Sequence, residues 1–220
     1  MRRPASFIGD IRGAIAAEFA LVLPLLIIFL LGIMDVGYYA WALNQGEKAT
    51  QMGARWAVTT DMIPGGQIGC TGNQTPGLRC YSFAVDADPI VPQGTPVPST
   101  SFPSFTCSKP DENSPLSCPC PSCPFSTAVD QSSRDSFDAI VSRMQDFKTT
   151  IQPDDVRIDY SWSGLGYSGD PNGPDVAPIV TVRLVNMQHR PLFGLLIGSV
   201  DLPDFAYSLT FEDGEGTYSN

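Results

Sequence analysis

Six cysteines are the side chains best equipped for chemistry: Cys70, Cys80, Cys107, Cys118, Cys120 and Cys123. Three sit within six residues, in the run Cys118-Pro-Cys120-Pro-Ser-Cys123. Close thiolates can bind zinc, and two thiols spaced as in Cys-Pro-Ser-Cys can exchange disulfides. Both readings lack support around them. The lone histidine, His189, is far away in sequence, and no βαβ pattern surrounds the cysteine pair. An even number of cysteines in a loop-rich stretch reads instead as structural disulfides, and six allow 15 connectivities among which the sequence does not choose. Other reaction chemistry is missing. One histidine cannot supply a Ser/His/Asp set, and no nucleophile elbow, P-loop or dinucleotide fingerprint is present. Asp154-Asp155 and Glu212-Asp213 are adjacent in sequence, so their side chains diverge in an extended chain and make no acid/base pair. The expectation is a protein that is not an enzyme and takes no cofactor or metal.

A second chemically loaded residue is Glu18, a carboxylate inside an apolar run. Ala14 to Met34 is 21 residues with Glu18 as its one charge. As a helix this run is roughly 31 Å long, which matches a hydrocarbon core of about 30 Å. Pro24 is tolerated in such a helix. An ionisable group there is either close enough to the headgroups to stay wet or functional. Arg2, Arg3 and Arg12 precede the run, and Lys48 is the one basic residue in the 20 that follow it. This asymmetry predicts a cytoplasmic N-terminus and a translocated remainder. From Ala14 onward the chain carries ten basic and 22 acidic residues. A net charge of −10 argues against nucleic-acid binding, which needs a basic face, and against a polybasic grip on lipid. Ala40-Trp-Ala42 has the letters of a signal-peptidase site, but the apolar stretch is longer than a secretory signal requires.

The elements around these groups follow from pattern. Asp35 to Thr60 continues the helix, with Ala40, Ala42, Ala49, Ala54 and Ala57 among polar residues. Small residues allow close helix contacts, either with copies and partners in a filament stem or with the chain's own domain. Asp61 to Asp130 holds 12 Pro, six Gly and 15 Ser or Thr, which excludes long helices. A short strand is expected at Cys80–Val85, where Tyr81, Phe83 and Val85 alternate. Gln131 to Ile151 is predicted as a helix with a core stripe of Phe137, Ile140, Val141, Met144, Phe147 and Ile151. Ser132 with Asp135 has capping-box spacing, and Arg134 and Asp138 can pair at i, i+4. Strands are expected from Val156 to Trp162, over Ile179–Met187 (apolar on both faces, hence central) and from Phe205 to Phe211. The Asp170-Pro-Asn-Gly-Pro-Asp175 string is a polar turn that lacks the bidentate glutamate of a calcium loop. Pro191 to Val200 is apolar and too short to span; it is either a short helix closing the core or a patch facing membrane or partner. The tail from Glu212 is acidic and expected to fray.

The start of the chain also has a recognisable order. Gly13 is followed five residues on by Glu18 and then by Phe19, on an apolar helix carrying Pro24. The string Arg12-Gly-Ala-Ile-Ala-Ala-Glu-Phe-Ala-Leu-Val-Leu-Pro-Leu-Leu25 resembles the start of TadE-like proteins, the minor pseudopilins of tight-adherence (Flp, type IVc) pilus machinery. Gly32-Ile-Met-Asp-Val-Gly37 and the Ala-rich stretch with Arg55 fit the same family. The resemblance implies cleavage between Gly13 and Ala14 by a prepilin peptidase, and a register-setting role for Glu18 beside Phe19. It implies as partners the bacterial inner membrane, other pilins or pseudopilins and the pilus assembly platform. The alternative is an unprocessed, membrane-anchored periplasmic binding or scaffold protein of the TadG-like type. The expected fold is α+β and pilin-like: a long N-terminal transmembrane helix, then a small disulfide-braced domain with one helix and an antiparallel sheet of three to four strands. The expected boundaries are 1–13 for a cytoplasmic leader, 14–34 for the span, 35–60 for the helix extension, 61–130 for the Cys/Pro-rich region and 131–220 for the outer domain.

Overall fold

The computed structural model describes residues 11–64, 75–171, 174–193 and 198–211. They fall into two compact units: Met1–Ala42 with His189–Val200, and Leu43–Gln188 with Asp201–Asn220. Helix α1, Ile11–Ala57, supplies residues to both. Pro24 lies within it, and the helix continues through.

The second unit is built on a four-stranded antiparallel sheet. Strand β1 is Phe105–Ser108, β2 is Val156–Ser161 and β3 is Ile179–Leu184. A two-stranded sheet follows, β4 (Gln188–His189) with β5 (Val200–Asp201), and β6 (Phe205–Thr210) returns to the main sheet. The main order is β1-β2-β3-β6, with Ile158 opposite Cys107 and Val182, and Val182 opposite Tyr207. Alternation determines which face is buried: Val156, Ile158 and Tyr160 on β2 and Val180, Val182 and Leu184 on β3 are all solvent-excluded. Strand β3 is central as expected, but it is covered on one face only. Its other face presents Arg183, which pairs with Asp159 of β2.

Helix α2, Gln131–Gln145, carries the expected stripe. Phe137, Ile140, Val141 and Met144 are buried, as is Ile151 beyond the helix end, whereas Phe147 is half exposed. The cap lies two residues before the expected one. Asp130 Oδ1 accepts from the Ser133 N–H at 2.7 Å, and Ser133 Oγ accepts from the Asp130 N–H at 3.3 Å. Asp130 precedes the helix in extended conformation, which lets its carboxylate fold back over the first turn. Asp138 faces Lys109 at 3.6 Å instead of Arg134, whose Nε donates to Gln131.

The Cys/Pro-rich stretch differs most from expectation. No strand forms at Cys80–Val85. The Val85 and Asp86 N–H groups both donate to the Ser82 carbonyl, which makes a turn. The apolar alternation serves an aromatic cluster: Tyr81 meets Phe83 and Phe125 edge-on, and Phe125 meets Phe102 and Phe105. The strand in this region is β1, further along.

Tyr160 is the largest fully buried side chain. Its ring stacks on Phe105 at 5.1 Å, and its hydroxyl accepts from the Ile63 N–H at 3.2 Å. Burial pushes the Tyr160 phenol above its ordinary value. Above pH 10 the unfolded chain therefore loses this proton first. The stability contribution is complete below about pH 10 and falls by up to about 1.4 kcal/mol per pH unit above it. In Tyr160→Phe this alkaline slope is expected to be shallower. Its neutral stability should drop by about 1–3 kcal/mol because the Ile63 N–H is left without its acceptor. Urea titrations of both proteins at pH 8 and pH 11 compare the slopes, and Tyr81 and Lys148 titrate alike in each. Equal slopes would mean that Tyr160 ionises inside the fold.

Candidate functional site

The sequence singles out two groups of residues, and the structure places each within one unit. In the first unit, Gly13 and Ala14 lie in the first turn of α1, and Glu18 and Phe19 follow one turn later. Glu18 is exposed and Phe19 is 63% exposed. The apolar side chains beyond them project outward on every side: Leu21 is 80% exposed, Leu25 71% and Phe29 65%. Ala16–Ala57 is a helix long and apolar enough to cross a membrane, and nothing among the described residues covers its most apolar window. A helix apolar all round is stable only when surrounded by something equally apolar. The carboxylate of Glu18 belongs to that same uncovered surface, near the N-terminal end.

At the far end of the apolar run the surface changes character. Asp35 directly follows Met34. Its Oδ1 accepts from the Leu192 N–H at 2.8 Å and from the Phe193 N–H at 3.3 Å. His189, buried at 5% exposure, lies with its ring 4.9 Å from Tyr38 and 5.4 Å from Tyr39. Leu192 and Phe193 remain exposed, so this part of Pro191–Val200 is an uncovered patch; residues 194–197 lie outside the described residues.

The small residues further along α1 settle against the chain's own second unit. Gly46, Ala49, Thr50, Gly53, Ala54 and Ala57 are buried there. A Cβ on Gly46 would fall 2.5–2.8 Å from the Phe205 ring. One on Gly53 would fall 2.7 Å from Met144 Cγ and 3.3 Å from Val182 Cγ1. Here α1, α2 and β3 come so close that a hydrogen is the only side chain the gap admits.

The cysteines form local staples. Cys107 bonds Cys118, and Cys120 bonds Cys123. Cys80 is also disulfide-bonded, and Cys70 lies outside the described residues. Cys107 is on β1, and Ser108 bridges back to Ser117, so the first staple closes an 11-residue excursion that returns antiparallel to the strand. Loop closure of that size is worth about 3 kcal/mol in the chain-entropy account.

One buried charge could not be located from sequence. Asp175, 4% exposed, accepts from the Phe83 N–H at 2.6 Å, the Asp170 N–H at 3.1 Å and the Ser82 hydroxyl at 3.3 Å. It ties the turn after Cys80 to the loop before β3. The Asp-rich string around it gave a polar turn and no hint of a partner about 90 residues away. Its role is structural: its carboxylate oxygens are occupied by protein donors.

Residues 13–55 match the family model of TadE-like proteins. The match covers the apolar run with Glu18 and extends into the small-residue face as far as residue 55. No curated protein matches the chain, and neither does any solved structure.

Proposed function

We propose that this chain is a minor pseudopilin-like structural component of tight-adherence (Flp, type IVc) pilus assembly. It sits in the bacterial inner membrane as a single-pass protein, N-terminus in the cytoplasm and disulfide-braced domain in the periplasm. One observation carries the reading: the segment matched to TadE-like proteins is the same one that exposes an uncovered apolar helix with a carboxylate near its start. Cleavage after Gly13 by a prepilin peptidase creates a charged amino group at Ala14. A positive charge at a helix N-terminus opposes the helix dipole and is unwelcome in lipid. The Glu18 carboxylate of a neighbouring subunit offsets both penalties, and two opposite charges in low dielectric repay their desolvation only when paired. The pair fixes axial register, while apolar side chains on the rest of the span supply contact area. The work is non-covalent, without enzyme chemistry, cofactor or nucleic acid.

The runner-up, an unprocessed TadG-like anchor for a periplasmic binding or scaffold domain, draws support from one feature. Gly13 is already helical, so a peptidase has to unwind the first turn of α1 to reach its peptide bond. That turn lacks part of its hydrogen bonding and opens at small cost, which keeps the first reading ahead. N-terminal sequencing of the protein from its host's membranes separates the two. The expected start is Ala14; a start at Met1 would transfer the assignment to the anchor.

A further inference from the structure

We propose that the chain touches the bilayer at a second place, through an interfacial foot formed by Leu192 and Phe193 and held by Asp35. The inference rests on the reading of α1 as a membrane span. Asp35 follows the last residue of the apolar run, so its carboxylate stands at the level where hydrocarbon gives way to headgroups. By accepting from the N–H groups of both Leu192 and Phe193 it fixes that backbone at the same height. The two side chains are 62% and 41% exposed.

The surroundings have the composition of a membrane interface. Tyr38 and Tyr39 enclose His189, and Tyr38 stacks on Trp41 at 5.7 Å. Tyrosine and tryptophan concentrate where one end of a ring is apolar and the other wet. The segment His189–Phe193 therefore runs beside α1 from the aromatic level to the Asp35 level, about one helical turn nearer the apolar run. Exposed Arg190 lies on the way and can reach lipid phosphate with its head while its stem stays in apolar surroundings. A protein partner fits less well: two apolar side chains fall far short of the roughly 800 Å² that each side of a stable protein interface buries. A lipid surface needs no such area. A second contact beside the span would restrict its tilt and rotation, as interfacial anchors do.

The test uses the full chain in bilayers of phosphatidylethanolamine and phosphatidylglycerol, with a photoreactive diazirine amino acid placed in turn at Leu25, Phe193 and Ile90. Mass spectrometry then reads lipid adducts. Adducts at positions 25 and 193, with none at exposed Ile90, are the expected result. An adduct at 25 without one at 193, or a protein adduct at 193, would overturn the foot and leave the span standing. No adduct at 25 would remove the span and the foot together. Asp35→Ala should lower the adduct yield at 193 several-fold while leaving 25 unchanged. Asp35→Asn, whose amide oxygen still accepts, should retain it. Equal yields at 193 in both variants would show that Asp35 does not hold the foot.

Discussion

Glu18→Ala chains are expected to reach the host membrane in normal amount and to support few or no pili. The two halves of this result have separate causes. Removing a carboxylate from the apolar run relieves an insertion cost of about 2.5 kcal/mol or more at mid-membrane and less near its edge, so anchoring does not suffer. Assembly, on the proposed reading, loses one partner of a charge pair held in low dielectric. Breaking such a pair costs about 3–5 kcal/mol because the remaining charge stays buried alone. At 1.4 kcal/mol per factor of ten, that weakens each subunit contact by roughly 100-fold to 4,000-fold. Glu18→Gln should behave like Glu18→Ala, since it keeps size and hydrogen bonding but not charge. The measurement is a pilus count by electron microscopy alongside a membrane-fraction immunoblot. Wild-type pili on Glu18→Ala cells would remove the register role and favour a simple anchor.

Gly53→Leu is expected to lower the stability of the second unit sharply. The leucine Cβ alone would sit 2.7 Å from Met144 Cγ and 2.8 Å from its sulfur. Met144 is fully buried and has no solvent to swing into. Three further carbons must displace α1 from α2 and β3. Overpacking by even one or two methylenes costs about 1–3 kcal/mol, and this change adds more, so a loss of about 3 kcal/mol or greater follows. Helix propensity works the other way, since replacing glycine in a helix gains up to about 1 kcal/mol, and it does not close the gap. A melting temperature lower by roughly 10 °C is expected for the detergent-solubilised full chain. Gly37→Leu serves as the control, because a Cβ there meets nothing within 4 Å. If the two variants melted together, the close approach at Gly53 would not exist in solution.

How legible these features were in sequence depends on how local their cause is. The apolar run announces itself by unbroken hydrophobicity, whereas α2, β2, β3 and β6 do so by periodicity, because one face of each is buried and neighbours in sequence record it. The carboxylate in the apolar run was equally plain. Strand β1 was not, since it is four residues long among prolines, and the same alternation at Tyr81 and Phe83 proved to serve an aromatic cluster. The Asp130 cap was missed for a narrower reason: Ser132 and Asp135 had the right spacing, but the chain turned helical two residues sooner. Asp175 and Asp35 were opaque because their partners lie about 90 and 157 residues away. The small residues of α1 allowed two destinations, and only the position of Phe205 and Met144 decides for the chain's own domain.

That small-residue face has an odd kind of fragility. Glycine, alanine and threonine have almost no volume to lose, so truncating the small residues opens hardly any cavity, and an alanine scan would register Gly46 and Gly53 only because alanine already adds a methyl there. Added bulk is the only injury the face can suffer. A scan in leucine would expose it at once, and random substitutions would be tolerated or ruinous according to size far more than to polarity. Residues that look like filler when volume is removed are, when volume is added, among the tightest fits in the described structure.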